Sequence, residues 1–241
     1  MQFHTRGFVL HVTRYAESGA VVKIYTEQFG LQSFMVKGLY SKKSKLRSAL
    51  FGRMNLLDLV VDKHEKRSLN YIKEASLYKN YLSLPEDMSR MAVLMFINEL
   101  LYKCIREEEA NFAVFRFIEE SISLLDNLQI PVAMFHLKFM LNLTSYLGFA
   151  PRFSKMTAGK FFDMEEGMFM DSEPLHRYFI GGDSASLLEK IQITDYHELG
   201  QITEKKEVRN ELLMRLIDYY KLHIPEMGEM KTVGVLQEVL S

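Results

Sequence analysis

Residues 7–38 read GFVLHVTRYAESGAVVKIYTEQFGLQSFMVKG, and this stretch decides the fold of the first part of the chain. Short runs rich in β-branched and aromatic residues alternate apolar with polar side chains, which is the pattern of half-buried β-strands. Turn residues separate the runs at Glu17-Ser18-Gly19 and at Gln28-Phe29-Gly30. The stretch therefore predicts three consecutive strands, close to residues 8–13, 20–27 and 31–37.

Two more runs of the same kind cover residues 54–62 and 68–75. Five short strands at this spacing favour a small barrel, and the five-stranded oligonucleotide-binding (OB) barrel is one such fold. An OB barrel carries its ligand on one face and in its loops. We therefore predict an OB-like barrel domain over residues 1–80.

After about residue 80 the spacing of apolar residues becomes helical. Four apolar stripes are present, at residues 91–102, 112–125, 135–147 and 208–220. Pro85 and Pro131 suit first helical turns, and Gly148 suits a helix end. The wide apolar faces predict one helical bundle, made of residues 81–148 and 183–241, so the fold class is α+β.

A segment of different composition, residues 149–182, interrupts the bundle. It contains several glycines and prolines, and FFDMEEGMF (161–169) reads as a short hairpin around Gly167. Two strands alone are only marginally stable in water. We therefore expect this small insert to dock on the bundle or to be held in another way.

One loop is distinguished by its charge. The segment VKGLYSKKSKLRSALF (36–51) holds five fixed positive charges and no acid. Residues 1–80 contain 14 Lys and Arg against 6 Asp and Glu, or +8, and the remainder contains 16 against 25, or −9, which together give the net −1. A basic N-terminal part and an acidic C-terminal part suggest a polyanion-binding module joined to a second module of different function. Chance variation along the chain would also produce the asymmetry.

This basic loop predicts contacts with a nucleic-acid backbone, because each Lys or Arg brought to a phosphate releases condensed counterions. The alternative interpretation is a solvated surface loop. The predicted DNA-contacting residues are Lys37, Lys42, Lys43, Lys45, Arg47 and Arg53. Tyr40 either stacks on a base or packs against the barrel wall, and the sequence does not separate these two roles.

Patterns that carry catalysis are missing from the sequence. It has no phosphate-binding loop, dinucleotide fingerprint or nucleophile elbow, and its seven histidines show no metal-binding spacing. We therefore predict no enzyme activity and no cofactor. Glu107-Glu108-Glu109 is interpreted as a solvated helix end and Cys104 as a core thiol. The single cysteine fits a reducing cytosol, and no uncharged apolar run is long enough to span a membrane.

Six segments, in this order and spacing, resemble the RecO family of recombination-mediator and DNA-repair proteins. They are Glu17-Ser18, Thr26 to Gly30, Val36-Lys37-Gly38, Ser44 to Leu50, Asn111 to Phe115 and Leu147 to Pro151. The resemblance implies an OB barrel, a helical bundle and a small insert. It also implies a protein that binds single- and double-stranded DNA, anneals complementary strands, and joins RecR to load recombinase on gapped DNA. A cytoplasmic location is expected from the single cysteine and not from the resemblance.

The resemblance further implies a binding site for the acidic C-terminal tail of the single-stranded DNA-binding protein. Such a site needs a cation beside apolar surface. Arg116 and Lys138 interrupt two apolar helix stripes and are the predicted partner-binding residues. The alternative is that both side chains are exposed and extend over the bundle surface.

The chain departs from the family pattern at one place. Many RecO proteins carry a CxxC…CxxC zinc site just after the segment that matches Leu147 to Pro151. Here residues 152–157 read RFSKMT, without a cysteine, so we expect no structural zinc in this chain. The residues expected to hold the insert by packing instead are Phe161, Phe162, Met168 and Phe169.

Two other functions stay open on the sequence alone. One is an OB-fold module that binds RNA or a protein partner without annealing activity. The other is an enzyme that uses carboxylates of the acidic C-terminal half. Salt dependence of binding separates nucleic-acid binding from the enzyme, and annealing of coated complementary strands separates annealing from simple binding.

Overall fold

The computed structural model describes residues 1–41, 48–63, 69–129, 131–152 and 160–240. The chain divides into two compact units. The barrel unit consists of Met1–Leu82 and Asn98–Ser123, and the helical unit of Ser83–Ile97 and Leu124–Ser241. The domain boundaries expected from the sequence stay a prediction.

Five strands form the barrel. They are β1 (Gln2–Tyr15), β2 (Gly19–Thr26), β3 (Gly30–Val36), β4 (Leu56–Asp62) and β5 (Asn70–Leu77). They close in the order β1-β2-β3-β5-β4, and every pairing is antiparallel except β3 with β5. The predicted five-stranded barrel, followed by a helical region, is therefore confirmed.

The barrel interior is filled from all five strands, because alternation along a strand turns every second side chain inward. The inward residues include Val9, Ala20, Val22, Ile24, Phe34, Val36, Leu57, Leu59, Val61 and Ile72. Burial of each larger side chain contributes roughly 1.5–3 kcal/mol. Gly7 is needed where β1 meets β2, because a Cβ there would lie 2.4 Å from Cγ2 of Ile24. An alanine at this position would force Ile24 to move.

In the described part of the chain, six α-helices follow the barrel strands. They are α1 (Met88–Cys104), α2 (Phe112–Asn127), α3 (Phe135–Leu147), α4 (Gly182–Ile193), α5 (Lys206–His223) and α6 (Val233–Val239). All four predicted apolar stripes lie on helices, and Gly148 ends α3 with φ +86°. No helix of the described part of the chain is long and apolar enough to cross a membrane.

Two helix starts differ from the sequence prediction. Helix α1 begins after Pro85, because the Asp87 carboxylate accepts hydrogen bonds from the amides of Ser89 and Arg90, at 2.8 and 3.2 Å. This is the geometry of a helix N-cap. Helix α3 begins at Phe135 rather than at Pro131, after a turn in which the Phe135 amide donates to the Val132 carbonyl at 3.0 Å.

The insert contains a small antiparallel sheet of β6 (Phe161–Asp163), β7 (Met168–Met170) and β8 (Phe179–Gly181), in the order β7-β6-β8. The predicted hairpin is present, and Gly167 in its turn has φ +64°. Strand β8 was not predicted. The packing role expected of Met168 is wrong, because alternation turns Phe169 inward and leaves Met168 39% exposed.

Aromatic contacts with α5 hold the insert. The Tyr219 hydroxyl donates to the Phe149 carbonyl at 2.7 Å, and Phe162 packs edge-on against the Tyr219 ring at 5.5 Å. The His223 ring stacks on Phe149 at 4.7 Å between centroids. Such ring pairs contribute about 0.5–1.5 kcal/mol each beyond their buried area. The insert is thus attached to the rest of the helical unit by ring contacts and by the hydrogen bond from the Tyr219 hydroxyl to a main-chain carbonyl.

Candidate nucleic-acid interface

The outer surface of the barrel differs between its two ends. Phe8 of β1 and Tyr25 of β2 are directly opposite and both contact the Phe115 ring of α2, so this end is covered. Toward the other end, Thr13 of β1 is exposed, and Lys37 follows β3 on the surface. This second end is the part of the outer wall that is open to a ligand.

Four cations lie around the open end, and we call them the basic face: Arg14, Lys23, Lys37 and Arg53. Arg14, Lys37 and Arg53 are exposed, and Lys23 is half-buried. Lys23 of β2 pairs in register with His11 of β1. Within the described residues, the only side-chain hydrogen bond from this set runs from Arg14 to the Glu17 carbonyl, and no member forms a salt bridge. Their charge is therefore available to an anion.

Aromatic rings lie next to three of these cations. The Arg14 guanidinium is 5.3 Å from the centre of the Tyr40 ring, and the Lys37 ammonium is 5.1 Å from that of Tyr71. The Lys23 ammonium is 5.5 Å from the ring of Tyr102 in α1. Cations interleaved with aromatic rings are the combination that single-stranded nucleic acids need, because phosphates bind the first and bases stack on the second.

The start of the basic loop is held at this open end. The Tyr40 amide donates to the Ser18 carbonyl in the β1–β2 turn at 2.9 Å, and Gly38 has φ +64° in the turn after β3. Tyr40 is 45% exposed, so its ring is not buried against the barrel wall. The loop therefore begins beside Arg14 rather than elsewhere on the barrel.

Arg6, another cation of the same unit, shows the opposite arrangement, because it is paired with acids. Arg6 donates to Glu27 at 3.0 and 2.7 Å and to Glu119 at 2.7 Å, and its guanidinium lies 4.7 Å from the centre of the Tyr78 ring. The hydrogen bond to Glu27, with the charge of both acids, raises the pKa of Arg6. The charge of Arg6 is thus neutralised by acids of the protein and is not available to a ligand.

Sequence comparisons agree with this geometry. The family description "Recombination protein O N terminal" matches residues 1–81, and "Recombination protein O C terminal" matches residues 85–231. The chain belongs to the RecO family. Proteins named DNA repair protein RecO are 33% identical in Phocaeicola vulgatus over 98% of both chains, and 35% identical in Christiangramia forsetii over 99% of both. One from Bacteroides fragilis is 35% identical over 98% of both chains. The RecO resemblance predicted from the sequence is confirmed.

The DNA-contacting residues predicted for this RecO chain fall into two groups. Lys37, Tyr40 and Arg53 are exposed at the open end of the barrel. Lys42, Lys43, Lys45 and Arg47 lie outside the described residues. Contact with DNA stays a prediction for both groups.

The sequence prediction missed Arg14, Lys23 and Tyr71. Lys23 and Tyr71 occupy outward positions of strands, opposite His11 and Met35 respectively. Strand alternation gives a signal for outward positions, but it does not show which end of the outer wall stays open. That depends on Phe115, which covers the other end from a distant part of the sequence.

The two partner-binding residues predicted for this RecO chain lie in different units. Arg116 of α2 is exposed in the barrel unit, one turn after Phe112, which is 62% exposed. Lys138 of α3 is buried in the helical unit, where its ammonium donates to the carbonyls of Ile191 and Gln192 at 3.1 and 2.8 Å. Burial lowers the pKa of Lys138. Exposure of both side chains is therefore wrong for Lys138, while partner binding stays a prediction.

Other candidate sites of the RecO chain have structural explanations. Cys104 is buried, and burial raises the pKa of its thiol to about 12, so it is a poor nucleophile. Helix α1 ends at Cys104, and the exposed Glu107-Glu108-Glu109 form the loop beyond it, where the Glu107 carbonyl accepts from the Leu31 amide at 2.9 Å. Among the described residues, no group of three or more His, Cys, Asp or Glu side chains could hold a metal ion.

Proposed function

We propose that this RecO chain is a non-catalytic DNA-binding protein of recombinational repair. In this proposal it anneals complementary single strands and, together with RecR, helps to load recombinase on gapped DNA. The observation that carries the proposal is the basic face, where exposed cations without acidic partners lie next to aromatic rings on the open end of an OB barrel. The relatives named DNA repair protein RecO support the same role.

The chemistry of the basic face suits a strand read without regard to sequence. Lys and Arg contacts to phosphates position a nucleic acid but carry no sequence information. Stacking of a base on an exposed ring such as Tyr40 is worth about 1–3 kcal/mol and tolerates every base. An annealing protein needs both properties, because it must hold any strand while leaving its hydrogen-bonding edges free to pair.

The basic loop extends this surface in the proposal. Lys42, Lys43 and Lys45 follow directly after the anchored segment that contains Tyr40. Each phosphate contact that they make should contribute about one to the slope of log Kd against log salt concentration. The cytoplasm is the proposed place of action, in keeping with the single cysteine of the chain.

The salt slope tests the loop. Replacing Lys42, Lys43 and Lys45 together by alanine should lower the slope by roughly one for each lost contact, about equally for DNA of any sequence. The matched control replaces three exposed lysines of the helical unit, Lys160, Lys205 and Lys206, and should keep the wild-type slope. An unchanged slope in the loop variant would remove the loop from the interface.

Annealing is the decisive test of the function. Complementary labelled strands coated with single-stranded DNA-binding protein should pair faster with this chain than without it. Tight, salt-dependent binding without annealing would instead favour a binding module for nucleic acid. Binding of RecR is measured separately by sedimentation of the mixture, and two independently sedimenting species would contradict that part of the proposal.

The acidic tail of the single-stranded DNA-binding protein is the second proposed ligand. Arg116 and the exposed Phe112 offer a cation beside apolar surface on one helix face, which are the two features that a site for an acidic peptide needs. Charge reversal in Arg116→Glu should weaken binding of a labelled tail peptide, while Lys206→Glu on exposed α5 surface should not. Lys138→Met tests the other predicted residue without burying a negative charge. Wild-type affinity in both Arg116→Glu and Lys138→Met would place the tail elsewhere.

A further inference from the structure

His11 lies at the meeting point of three separate segments of the barrel unit. It is opposite Lys23 in the register of β1 with β2. Arg53 lies in the turn before β4, and this turn is tied to β1 because the Met54 amide donates to the Val9 carbonyl at 2.8 Å. Lys23 and Arg53 therefore come from a strand and a turn that are both joined to β1 by main-chain hydrogen bonds, and the charge of each acts on His11.

The ring of Tyr102 fixes the orientation of the imidazole. The two rings stack with centroids 4.7 Å apart and planes 16° apart, and the Lys23 ammonium lies 5.5 Å from the same Tyr102 ring. His11 and Lys23 are half-buried and Arg53 is exposed, so a ligand can reach the group from solvent. Neither nitrogen of His11 forms a hydrogen bond with a described residue.

Among the described residues, the charges that act on His11 are both positive. They belong to Lys23 of β2 and Arg53 of the turn, and α1 contributes the neutral Tyr102 ring. Burial first, then the charge of Arg53 and that of Lys23, lower the pKa of His11, so its imidazole is neutral near pH 7 in the free protein. An anion bound between these groups would reverse the local field and favour the imidazolium form.

From this geometry we infer that His11, Lys23 and Arg53 together bind one phosphate of a nucleic-acid backbone, and that His11 takes up a proton when they do. The inference rests on the proposed DNA binding and adds to it a contact outside the basic loop. A phosphodiester fits the group because it brings one negative charge and unprotonated oxygens that can accept from an imidazolium, an ammonium and a guanidinium at once.

A pH titration of DNA affinity tests the inference. The probe is a labelled oligothymidylate, since thymine does not protonate in the range in which histidine titrates. At constant salt, the affinity of the wild type should rise as the pH falls from about 8 to about 5.5, with a slope of log Kd against pH approaching one. His11→Gln should give a flat profile. The control is His4→Gln, an exposed histidine of the same strand β1, which should keep the wild-type slope.

Two further measurements make the result independent of one variant. The side-chain NMR signals of His11 in the wild type should titrate at higher pH after saturation with the oligonucleotide. Lys23→Ala and Arg53→Ala should each lower the salt slope by about one. Inorganic phosphate is tested in parallel. If it shifts the His11 titration and the oligonucleotide does not, the group is a small-anion site and the inference is wrong.

The outcome also separates this inference from the proposed function. Wild-type protein that fails to bind the oligonucleotide at any pH would overturn the function itself. Wild-type protein that binds and anneals strands, with equal pH profiles in the wild type and in His11→Gln, would overturn only the phosphate site at His11.

Discussion

The cations of the helical unit and those of the basic face differ in the groups that their side chains contact. In the helical unit, Arg90 and Lys138 donate to main-chain carbonyls at the ends of helices. On the barrel, Lys23 and Lys37 lie over aromatic rings and have no described carboxylate or carbonyl partner. The first set satisfies carbonyls that a helix end leaves unpaired, and the second keeps its charge for a ligand. Variants of the first set should therefore change stability, and variants of the second should change DNA affinity.

The largest effect is expected for Arg90. Its guanidinium donates to the carbonyls of Leu125 and Asp126 at 2.9 and 2.7 Å and to the Asp87 carboxylate at 3.1 Å. Arg90→Ala removes these hydrogen bonds and should lower the free energy of unfolding by about 3 kcal/mol. Urea denaturation measures this loss. Arg90→Lys keeps one charge without the planar fork and should recover only part of it. An Arg90→Ala midpoint equal to that of the wild type would contradict the structural role.

His136 gives the helical unit a dependence on acid. Burial, with Arg209 nearby, lowers the pKa of His136 to about 3, against an ordinary value of 6.5. The unfolded chain therefore binds a proton that the folded chain excludes, and stability falls as the pH falls from about 6.5 toward 3, by up to about 1.4 kcal/mol per pH unit. Above pH 6.5 the group makes no pH-dependent contribution.

A pair of variants measures this contribution. His136→Leu should lose less stability between pH 7 and pH 4.5 than the wild type does, as read from urea midpoints at both pH values. His197→Leu, at an exposed position of the same unit, should follow the wild type. If all three proteins lose the same free energy, the neutral buried state of His136 is wrong.

Two lysines allow the most direct comparison. Lys138→Met removes two hydrogen bonds from a buried ammonium and should cost about 1–3 kcal/mol of stability, with the salt slope of DNA binding unchanged. Lys37→Ala on the basic face should change stability by less than about 0.5 kcal/mol and lower the salt slope by about one. Equal stability losses in the two variants would remove the distinction between the two kinds of cation.

The sequence predicted most strands and helices because the spacing of apolar residues within one element can be read from a short stretch of chain. Apolar and polar side chains alternate within residues 7–38, and the apolar stripes of α2 and α5 each lie within one continuous segment. The helix α4 escaped prediction because its apolar residues cover only about two turns, and β8 because it has three residues. The missing α4 also explains the error at Lys138, since a lysine that caps an unpredicted helix can only be placed on the surface.

The sequence predicted those residues of the candidate site that are close together along the chain. It did not predict those that only strand pairing brings together. Lys37 and Arg53 were predicted because one lies in the basic segment 36–51 and the other just beyond it. The group of His11, Lys23 and Arg53 comes from two strands and a turn, and Tyr102 joins it from a helix. Only the register of β1 with β2 and the position of α1 bring these residues together, and neither can be read from local periodicity.

The smallest expected effect is that of a metal chelator on stability, for which we predict no change. The rings of Phe149, Phe162, Tyr219 and His223 connect the insert to α5. If the chain binds no structural zinc, as its sequence predicts, incubation with a chelator should leave the melting temperature unchanged, because no metal-binding free energy would be withdrawn from folding. Tyr219→Phe is the matched perturbation: it keeps the ring and removes the hydrogen bond to Phe149, at a cost of about 1 kcal/mol. About one equivalent of zinc retained through dialysis, or a melting temperature that falls with the chelator, would show that a metal, and not the rings, holds the insert.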